Sequence, residues 1–267
     1  ELFRDNGLIG LHYDPEFGVG GGDALTFCMV VDEVAQVCGN SAMVLATHEL
    51  GAMPLVVAGS PEQKARWLPG IAAGTLVPAF ALTEPEAGSD VAGIRTRAVR
   101  DGDGYVLTGS KRFITNADIA DVLVVFAKTD PEAGHKGLSA FVLEKGTPGF
   151  SVPRNERKMG YQGVTACEVV LAGCRVPTDH RLGGEGDGFR IAMVTLDRTR
   201  PVVGAIGVGL AQGSLDTAVQ YARERRQFGQ PIGEFQGLRF LLADMATKTE
   251  AARALVYHAA ALVDRRD

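Results

Sequence analysis

The sequence predicts an α+β protein with an N-terminal helical domain, a middle domain built as an antiparallel β-barrel or sandwich, and a C-terminal helical bundle that is incomplete. Three observations predict it. Apolar residues recur at three- and four-residue steps towards both ends of the chain. Between those ends lie short β-rich runs parted by Gly/Asp/Pro clusters. The texture changes near Val77 and again after the segment LGGEGDGF. These breaks divide the 267 residues into domains at 1–76, 77–185 and 186–267.

Asp23 can cap a helix in which Cys28, Val31, Val34, Ala35 and Cys38 keep the helical step. Asn40 or Ser41 starts a second helix through MVLATHELGAMPLVVA, closed by Gly59 as a C-terminal glycine. Pro54 inside it should bend or interrupt it. Ser60-Pro61-Glu62-Gln63 is a capping box with proline at the first helical position, and it opens a third short helix, KARWLPGIAAG. The runs VPAFALT, RTRAVR, YVLTG, FIT, VLVVFAK, LSAFVLE and CEVVLA follow, with Asp101-Gly102-Asp103-Gly104 as a hairpin turn. Two long helices complete the pattern: Thr199 to Arg226, with Pro201 in its first turn, and Phe235 to Arg266. Phe235, Leu238, Leu242, Met245, Ala252, Leu255, Ala259 and Leu262 form a stripe along the second. A helix of that length spans roughly 48 Å. It needs partners along its whole length, as in a four-helix bundle. Two long helices make half of one.

Composition excludes several function classes. Hydrophobic residues make up 46% and charged residues 22%, ordinary for a soluble globular chain. No run of about 18 apolar residues occurs, so no membrane span is expected. The most apolar stretch, Val202 to Ala211, is broken by three glycines. The opening ELFRDNGLIG lacks the pattern of a secretory signal. A net charge of −5 with interspersed signs offers no basic groove for nucleic acid. Cys28, Cys38, Cys167 and Cys174 contain no CxxC pair and read as free thiols of a reducing compartment. The expected location is cytoplasmic, with the mitochondrial matrix as the alternative. His12, His48, His135, His180 and His258 have no metal-ligand spacing, so no metal is expected.

Two glycine-rich stretches are decoys. Gly207 to Gly213 (GVGLAQG) lies inside a helical pattern with no strand before it, so it reads as close helix packing rather than a dinucleotide site. In Gly104 to Lys111 (GYVLTGSK) the Lys follows Ser instead of preceding it, and the stretch reads as strand and turn. The informative run is FALTEPEAGSDVAG, Phe80 to Gly93. A strand ends there in a hydroxyl, followed by a proline turn and a Gly-Ser pair. Such a loop offers backbone N–H groups and two hydroxyls to a polar ligand beside an apolar strand. From its residues alone it is a ligand loop or an ordinary turn.

ALTEPEAGSDVAG closely resembles the first signature of the acyl-CoA dehydrogenase family, and three more segments follow in the family's order and approximate spacing. GSKRFITNA (Gly109 to Ala117) is similar to the flavin-contacting strand. LDRTRPVVGAIGVGLAQGSLDTA (Leu196 to Ala218) resembles the start of the first long C-terminal helix, especially in the medium-chain branch. RERRQFGQPIGEFQ (Arg223 to Gln236) resembles the segment that reaches a neighbouring subunit's cofactor. The resemblance covers nearly the whole chain and implies FAD as cofactor. It implies that Phe80, Leu82 and Thr83 lie along the isoalloxazine ring, that Gly88 and Ser89 continue that surface, and that Ser89 faces the pantetheine or phosphate part of an acyl-CoA. Phe113 would stack on the flavin, with Ile114 and Thr115 near its centre. Arg225, selected over Arg226 by the Arg-x-x-Phe-Gly spacing, and Phe228 would reach a partner subunit's FAD. Asp197 and Arg200 would lie near the CoA nucleotide. Phe80 and Phe113 also read as core aromatics, and Asp197 with Arg200 as a structural ion pair.

The implied activity is α,β-dehydrogenation of an acyl-CoA thioester in fatty-acid β-oxidation, with electrons leaving to an electron-transfer flavoprotein. The implied assembly is a dimer or homotetramer. Two other readings stay open: a related flavin monooxygenase or oxidase, and a non-catalytic flavin-binding subunit of a hetero-oligomer. Most of the family carries its catalytic glutamate at a position that would fall beyond Asp267. A minority branch carries it just before the arginine matching Arg200, where Thr199 stands here, and threonine is no carboxylate base. No catalytic residue is therefore expected within 1–267: a C-terminal segment is omitted, another chain supplies the base, or the chain is inactive. Omission is favoured, since half a bundle exposes a long apolar stripe. In Lys158 to Ala166, Gln162, Val164 and Ala166 replace the family's common arginine, serine and threonine, which bears on CoA contacts and acyl preference. Ala42 and Ala46 would line an acyl pocket with room for a longer or branched chain.

Overall fold

The computed structural model describes residues 2–11, 13–17 and 20–265; His12 and Arg266 lie outside the described residues. Helices α1 (Leu2–Asp5), α2 (Ala24–Val37), α3 (Gly39–Ala58) and α4 (Pro61–Ala72) come first. Strands β1 (Pro78–Ala81), β2 (Arg97–Asp101), β3 (Gly104–Thr115), β4 (Val122–Lys128), β5 (Leu138–Glu144), β6 (Phe150–Asn155), β7 (Ala166–Pro177) and β8 (Arg181–Leu182) follow. Helix α5 (Gly188–Glu224), a small hairpin of β9 (Arg226–Gln227) and β10 (Gln230–Pro231), and α6 (Gln236–Asp264) end the order. The expected fold class is the one observed. The chain forms two compact units: Glu1–Gly21 with Thr47–Thr199, and Gly22–Ala46 with Arg200–Asp267.

In the first unit, eight strands form one sheet in the order β6-β7-β3-β2-β4-β5-β8, with β1 beside β4. The pairs are antiparallel except that β1 and the start of β2 each meet β4 in parallel. Strict alternation along β4 and β5 builds a core on each face, because successive side chains leave a strand on opposite sides. Val122, Val124 and Phe126 join Leu138, Ala140 and Val142 in a core shared with Trp67, Leu68 and Ile71 of α4. Leu123, Val125 and Ala127 join Phe141 and Leu143 in the other, against Leu107, Ile114, Val169 and Leu171 of β3 and β7. Asp101 pairs with Gly104 across the expected turn, where Gly102 takes a φ of 59°.

The capping box at α4 forms as expected. Gln63 does more than close it: its Nε2 also donates to the carbonyls of Asp179 (2.6 Å) and Arg181 (2.9 Å). Pro54 does not interrupt α3, which runs unbroken from Gly39 to Ala58. The missing N–H leaves one ladder bond unmade, that to the Leu50 carbonyl. Gly59 follows the helix, and a side chain there would sit 2.5 Å from the Leu55 carbonyl oxygen.

In the second unit, Asp23 caps α2 by accepting from the Thr26 N–H at 2.7 Å. Gly209 and Gly213 of α5 press on α2: an added Cβ would lie 2.3 Å from the Asp32 carbonyl oxygen and 2.1 Å from that of Gln36. The glycine run is therefore a helix-packing surface. Buried Asp32 accepts from Arg253 Nε (2.9 Å) and Tyr257 Oη (2.8 Å) of α6. Burial, reinforced by the bond to Asp32, pushes the Tyr257 phenol up to about 12. Asp264 accepts from the Ala24 and Leu25 N–H groups. Carboxylates thus tie α6 to α2 at two levels.

All four cysteines are free thiols. Two helices, α3 and α5, are long and apolar enough on average to cross a membrane, and 56% and 33% of their most apolar stretches are buried in the protein. The sequence reading weighed unbroken apolar runs instead, and found none.

Candidate functional site

Strand β1 ends at Ala81, and its alternation sets what the next residues present. Ala79 and Ala81 enter one core, while Leu82 enters the other with Phe80 packed against it. Phe80 is half-buried on Phe126, their ring centroids 5.0 Å apart. Its side chain acts as a core aromatic. What faces outward at the strand end is backbone and the Thr83 hydroxyl, which has no hydrogen-bond partner among the described residues. Glu84 and Ala87 then exchange backbone bonds at 3.0 and 3.2 Å, closing a tight turn over Pro85 and Glu86. Gly88 and Ser89 emerge from it exposed. A Cβ on Gly88 would meet nothing within 4 Å.

A buried ion pair lies beneath this loop. Glu84 Oε1 and Lys111 Nζ are 2.8 Å apart, and both side chains are almost wholly excluded from solvent. Lys111 Nζ also donates to the Leu82 carbonyl at 3.0 Å. The Glu84 carboxylate accepts further from the Arg95 N–H (2.6 Å), the Thr96 N–H (3.0 Å) and the Thr96 hydroxyl (2.5 Å). Burial alone would raise the Glu84 carboxyl, but the charge of Lys111 and these donors hold it below its ordinary value. Burial pulls the Lys111 ammonium down to about 8, against the opposing pull of Glu84.

Strand β3 carries the second half of the site. Lys111 pairs with Val169 and Ile114 with Cys167, so β3 spends one residue more than β7 across this interval. The extra residue makes a β-bulge, a device that re-aims a side chain. Phe113 sits in it at a φ of 59°, in the left-handed region that bulky residues rarely occupy. Phe113 is 59% exposed, although it is a large apolar residue within a strand. The Arg112 guanidinium lies 5.6 Å from the centre of the Phe113 ring and pairs with Glu156 at 2.7 Å. Ile114 returns to the core, and Thr115 is half-buried opposite Ala166. The Arg112 N–H donates to the Thr83 carbonyl at 2.9 Å. That bond joins the end of β1 to the bulge.

The structure thus joins the Phe80–Thr83 segment to that of Phe113, Ile114 and Thr115 through the Arg112–Thr83 bond in the first unit, with Gly88 and Ser89 exposed on the loop that follows Thr83. Ile114 and Leu82 offer only backbone, since their side chains are core. Asp197 and Arg200 are exposed, three residues apart on α5, the first in one unit and the second in the other. Thr199 is buried, and its hydroxyl donates to the Thr195 carbonyl at 3.0 Å. In the second unit, Phe228 and Gly229 form the two-residue turn between β9 and β10, with φ values of 51° and 80°. Such a turn suits Asn-Gly, and phenylalanine is strained there. Phe228 is nonetheless 93% exposed. Arg226 is spent on the turn, donating to the Gly229 carbonyl at 3.3 Å. The Arg225 side chain is exposed and makes no bond of its own among the described residues.

Sequence reading missed Glu84, Thr96 and Lys111 as a working group. The signal was present: Tyr105, Leu107 and Lys111 share the inward phase of β3, and a lysine in that phase calls for a buried acid. Chemically, an aromatic face held out of the core, a hydroxyl with no partner beside it and an open glycine suit a flat heteroaromatic ring with polar edges. An isoalloxazine is such a ring.

The sequence matches "Acyl-CoA dehydrogenase, N-terminal domain" over residues 1–75, "middle domain" over 79–174 and "C-terminal domain" over 186–267. It is 45% identical over 262 residues to a probable acyl-CoA dehydrogenase, FadE25, of Mycobacterium tuberculosis (strain ATCC 25618 / H37Rv), covering 98% of this chain and 67% of that protein. Its fold is similar to butyryl-CoA dehydrogenase from Megasphaera elsdenii, with a TM-score of 0.94, 42% identity, and 97% of this chain and 69% of that one covered. It is also similar to a chain from work on the electron transferring flavoprotein of Acidaminococcus fermentans, with a TM-score of 0.95, 47% identity, and coverage of 98% and 69%.

Proposed function

The chain belongs to the acyl-CoA dehydrogenase family, and from that membership we propose that it takes part in α,β-dehydrogenation of an acyl-CoA thioester to the trans-2-enoyl-CoA, with an electron-transfer flavoprotein as acceptor. It is an oxidoreductase acting on the CH–CH group of acyl-CoA, and FAD is its cofactor. When bound, FAD supplies the two-electron acceptor chemistry that no side chain offers. The protein's own residues bind, orient and exclude water. Phe113 offers a ring face for stacking. The Thr83 hydroxyl and the backbone around Leu82 to Ser89 offer hydrogen bonds to a polar ring edge, and Ile114 and Thr115 complete the floor. Ser89 faces the pantetheine or phosphate part of the thioester, and Asp197 and Arg200 meet its nucleotide end. Arg225 and Phe228 reach the FAD of a neighbouring subunit, which makes the working form a dimer or tetramer.

Residues 1–76, 77–185 and 186–267 act as three domains in this reading, in the cytoplasm or the mitochondrial matrix. The butyryl-CoA dehydrogenase likeness supports a thioester substrate, and the Acidaminococcus likeness supports a flavoprotein acceptor. Small residues at Ala42 and Ala46 leave the acyl length open towards longer or branched chains, which competition between acyl-CoA substrates would decide.

The observation that carries the reading is the 2.9 Å bond from the Arg112 N–H to the Thr83 carbonyl, which sets an exposed aromatic beside a free hydroxyl. The test is the visible spectrum of protein purified from riboflavin-fed cells. Yellow protein with FAD released on denaturation, and a band perturbed by added acyl-CoA, is the expected result. Colourless protein that ignores added FAD would overturn it. Rapid reoxidation by air would favour an oxidase over a dehydrogenase.

A further inference from the structure

We propose that Lys111 and Glu84 are positioning residues for the flavin: together they aim the Thr83 N–H at the bound ring and hold the Phe113 bulge in register with it. The inference rests on the flavin reading above and assigns the pair a task within that site.

The argument begins with the peptide plane. A trans peptide points its C=O and the following N–H in opposite directions. Lys111 Nζ holds the Leu82 carbonyl towards the buried interior at 3.0 Å. The Thr83 N–H belongs to the same plane, so it must point away from the interior. It has no backbone partner among the described residues. The next plane is held too, because the Thr83 carbonyl accepts from Arg112 N at 2.9 Å and the Glu84 N–H is taken by Ala87. Both planes flanking Thr83 are therefore set by residues of β3, one by Lys111 and one by its sequence neighbour Arg112. The same strand carries Phe113 one residue further on. Donor and aromatic are thus referenced to a single anchor.

Glu84 makes that anchor tolerable. An ammonium buried alone would shed its proton. Glu84 sits 2.8 Å away, and its own remaining lone pairs are filled by the N–H groups of Arg95 and Thr96 and the Thr96 hydroxyl. The pair so connects four segments: the end of β1, the turn at residues 84–87, the approach to β2, and β3. A pair of apolar residues of similar volume would fill such a spot without burying charge, at the cost of the acceptor for Arg95 and Thr96. What the apolar pair lacks is a donor for the Leu82 carbonyl. Direction, rather than cohesion, is what the lysine adds.

The experiment compares FAD binding by wild type, Lys111→Met, and the double replacement Lys111→Met/Glu84→Leu, using flavin fluorescence on reconstituted apoprotein together with the visible band shape and thermal unfolding. Wild type that binds no FAD would sink the functional reading itself, before the variants matter. With wild-type binding established, the single variant should lose stability and bind FAD about tenfold to a hundredfold more weakly, the range expected when a charge-assisted hydrogen bond is lost. In the double variant stability should recover only in part, because no uncompensated charge is left buried while the donors of Arg95 and Thr96 lose their acceptor; FAD affinity stays weak and the band stays shifted. A double variant that regains wild-type affinity and band shape would overturn the proposal, leaving the pair a purely structural one. So would a Lys111→Met protein that binds FAD as tightly as wild type. If the single variant does not fold, the double variant alone decides.

Discussion

Phe113 pairs exposure with a left-handed backbone, and each has a separable consequence. An L-residue in that conformation is disfavoured by roughly 1–2 kcal/mol relative to glycine. Glycine in turn gives the unfolded chain extra freedom, worth roughly 0.4–1 kcal/mol. Phe113→Gly should therefore leave the flavin-free protein at least as stable as wild type, or up to about 1 kcal/mol more stable, while weakening FAD binding. Denaturant titration of apoprotein beside fluorescence titration with FAD checks both halves. A marked loss of apoprotein stability would mean that Phe113 is a core residue after all. Glu49 is the second residue with a measurable signature. Burial holds its carboxyl well above the ordinary 4.5. The folded state then keeps a proton that the unfolded state has released, so stability falls as pH rises from 4.5 towards the folded value. Glu49→Gln removes that slope. The stability of the variant relative to wild type should grow as pH rises above 4.5, read from unfolding midpoints; a flat difference would show that the carboxyl is not held up.

Helix α5 tests a claim about elements. Its glycines were legible in the sequence as helix packing because no strand preceded them, and the structure presses two of them on α2. Gly213→Ala puts a methyl 2.1 Å from the Gln36 carbonyl oxygen, backbone that cannot swing aside. Overpacking of this kind should destabilise by about 1–3 kcal/mol, whereas Gly207→Ala, with nothing within 4 Å, should be neutral or slightly stabilising. Equal effects at the two positions would refute the packing assignment. Other features of the elements were less legible. The start of α5 at Gly188 was read as Thr199, because Pro201 looked like a first-turn proline and instead sits inside the helix. YVLTG and FIT looked like two strands, since the polar stretch Ser110-Lys111-Arg112 hid a bulge that only pairing with β7 reveals. Strand β6 went unseen because Pro153 breaks its pattern; it is an edge strand, where proline costs no ladder bond.

At the scale of the whole molecule, the three-part texture could be read along the chain, but its division into two compact units could not. Residues 22–46 join residues 200–267 through contacts such as Asp32 with Arg253, more than two hundred positions apart. No local periodicity announces a partner at that distance. The candidate site was half legible for a related reason. Residues recognised by motif, such as Thr83 and Phe113, lie within short runs, whereas Thr96, Glu84 and Lys111 acquire meaning only when three runs meet. The Phe228 hairpin bears on assembly. If a strained, exposed phenylalanine serves a neighbouring subunit's cofactor, Phe228→Ala should leave helical content unchanged, weaken FAD binding and lower the mass seen by sedimentation at low protein concentration. An unaltered oligomer with undiminished FAD binding would count against cofactor sharing.

Gln63 has a consequence for how the chain reaches this state. One carboxamide closes the first turn of α4 with its oxygen and grips the carbonyls of Asp179 and Arg181 with its nitrogen. A helix start is ordinarily a local affair, complete within a few residues. Here the side chain that completes the cap also holds a segment more than a hundred residues downstream, so the two share one anchor. Amide exchange at the head of α4 should then slow only when the strand after residue 180 is in place, and fraying of either should release both.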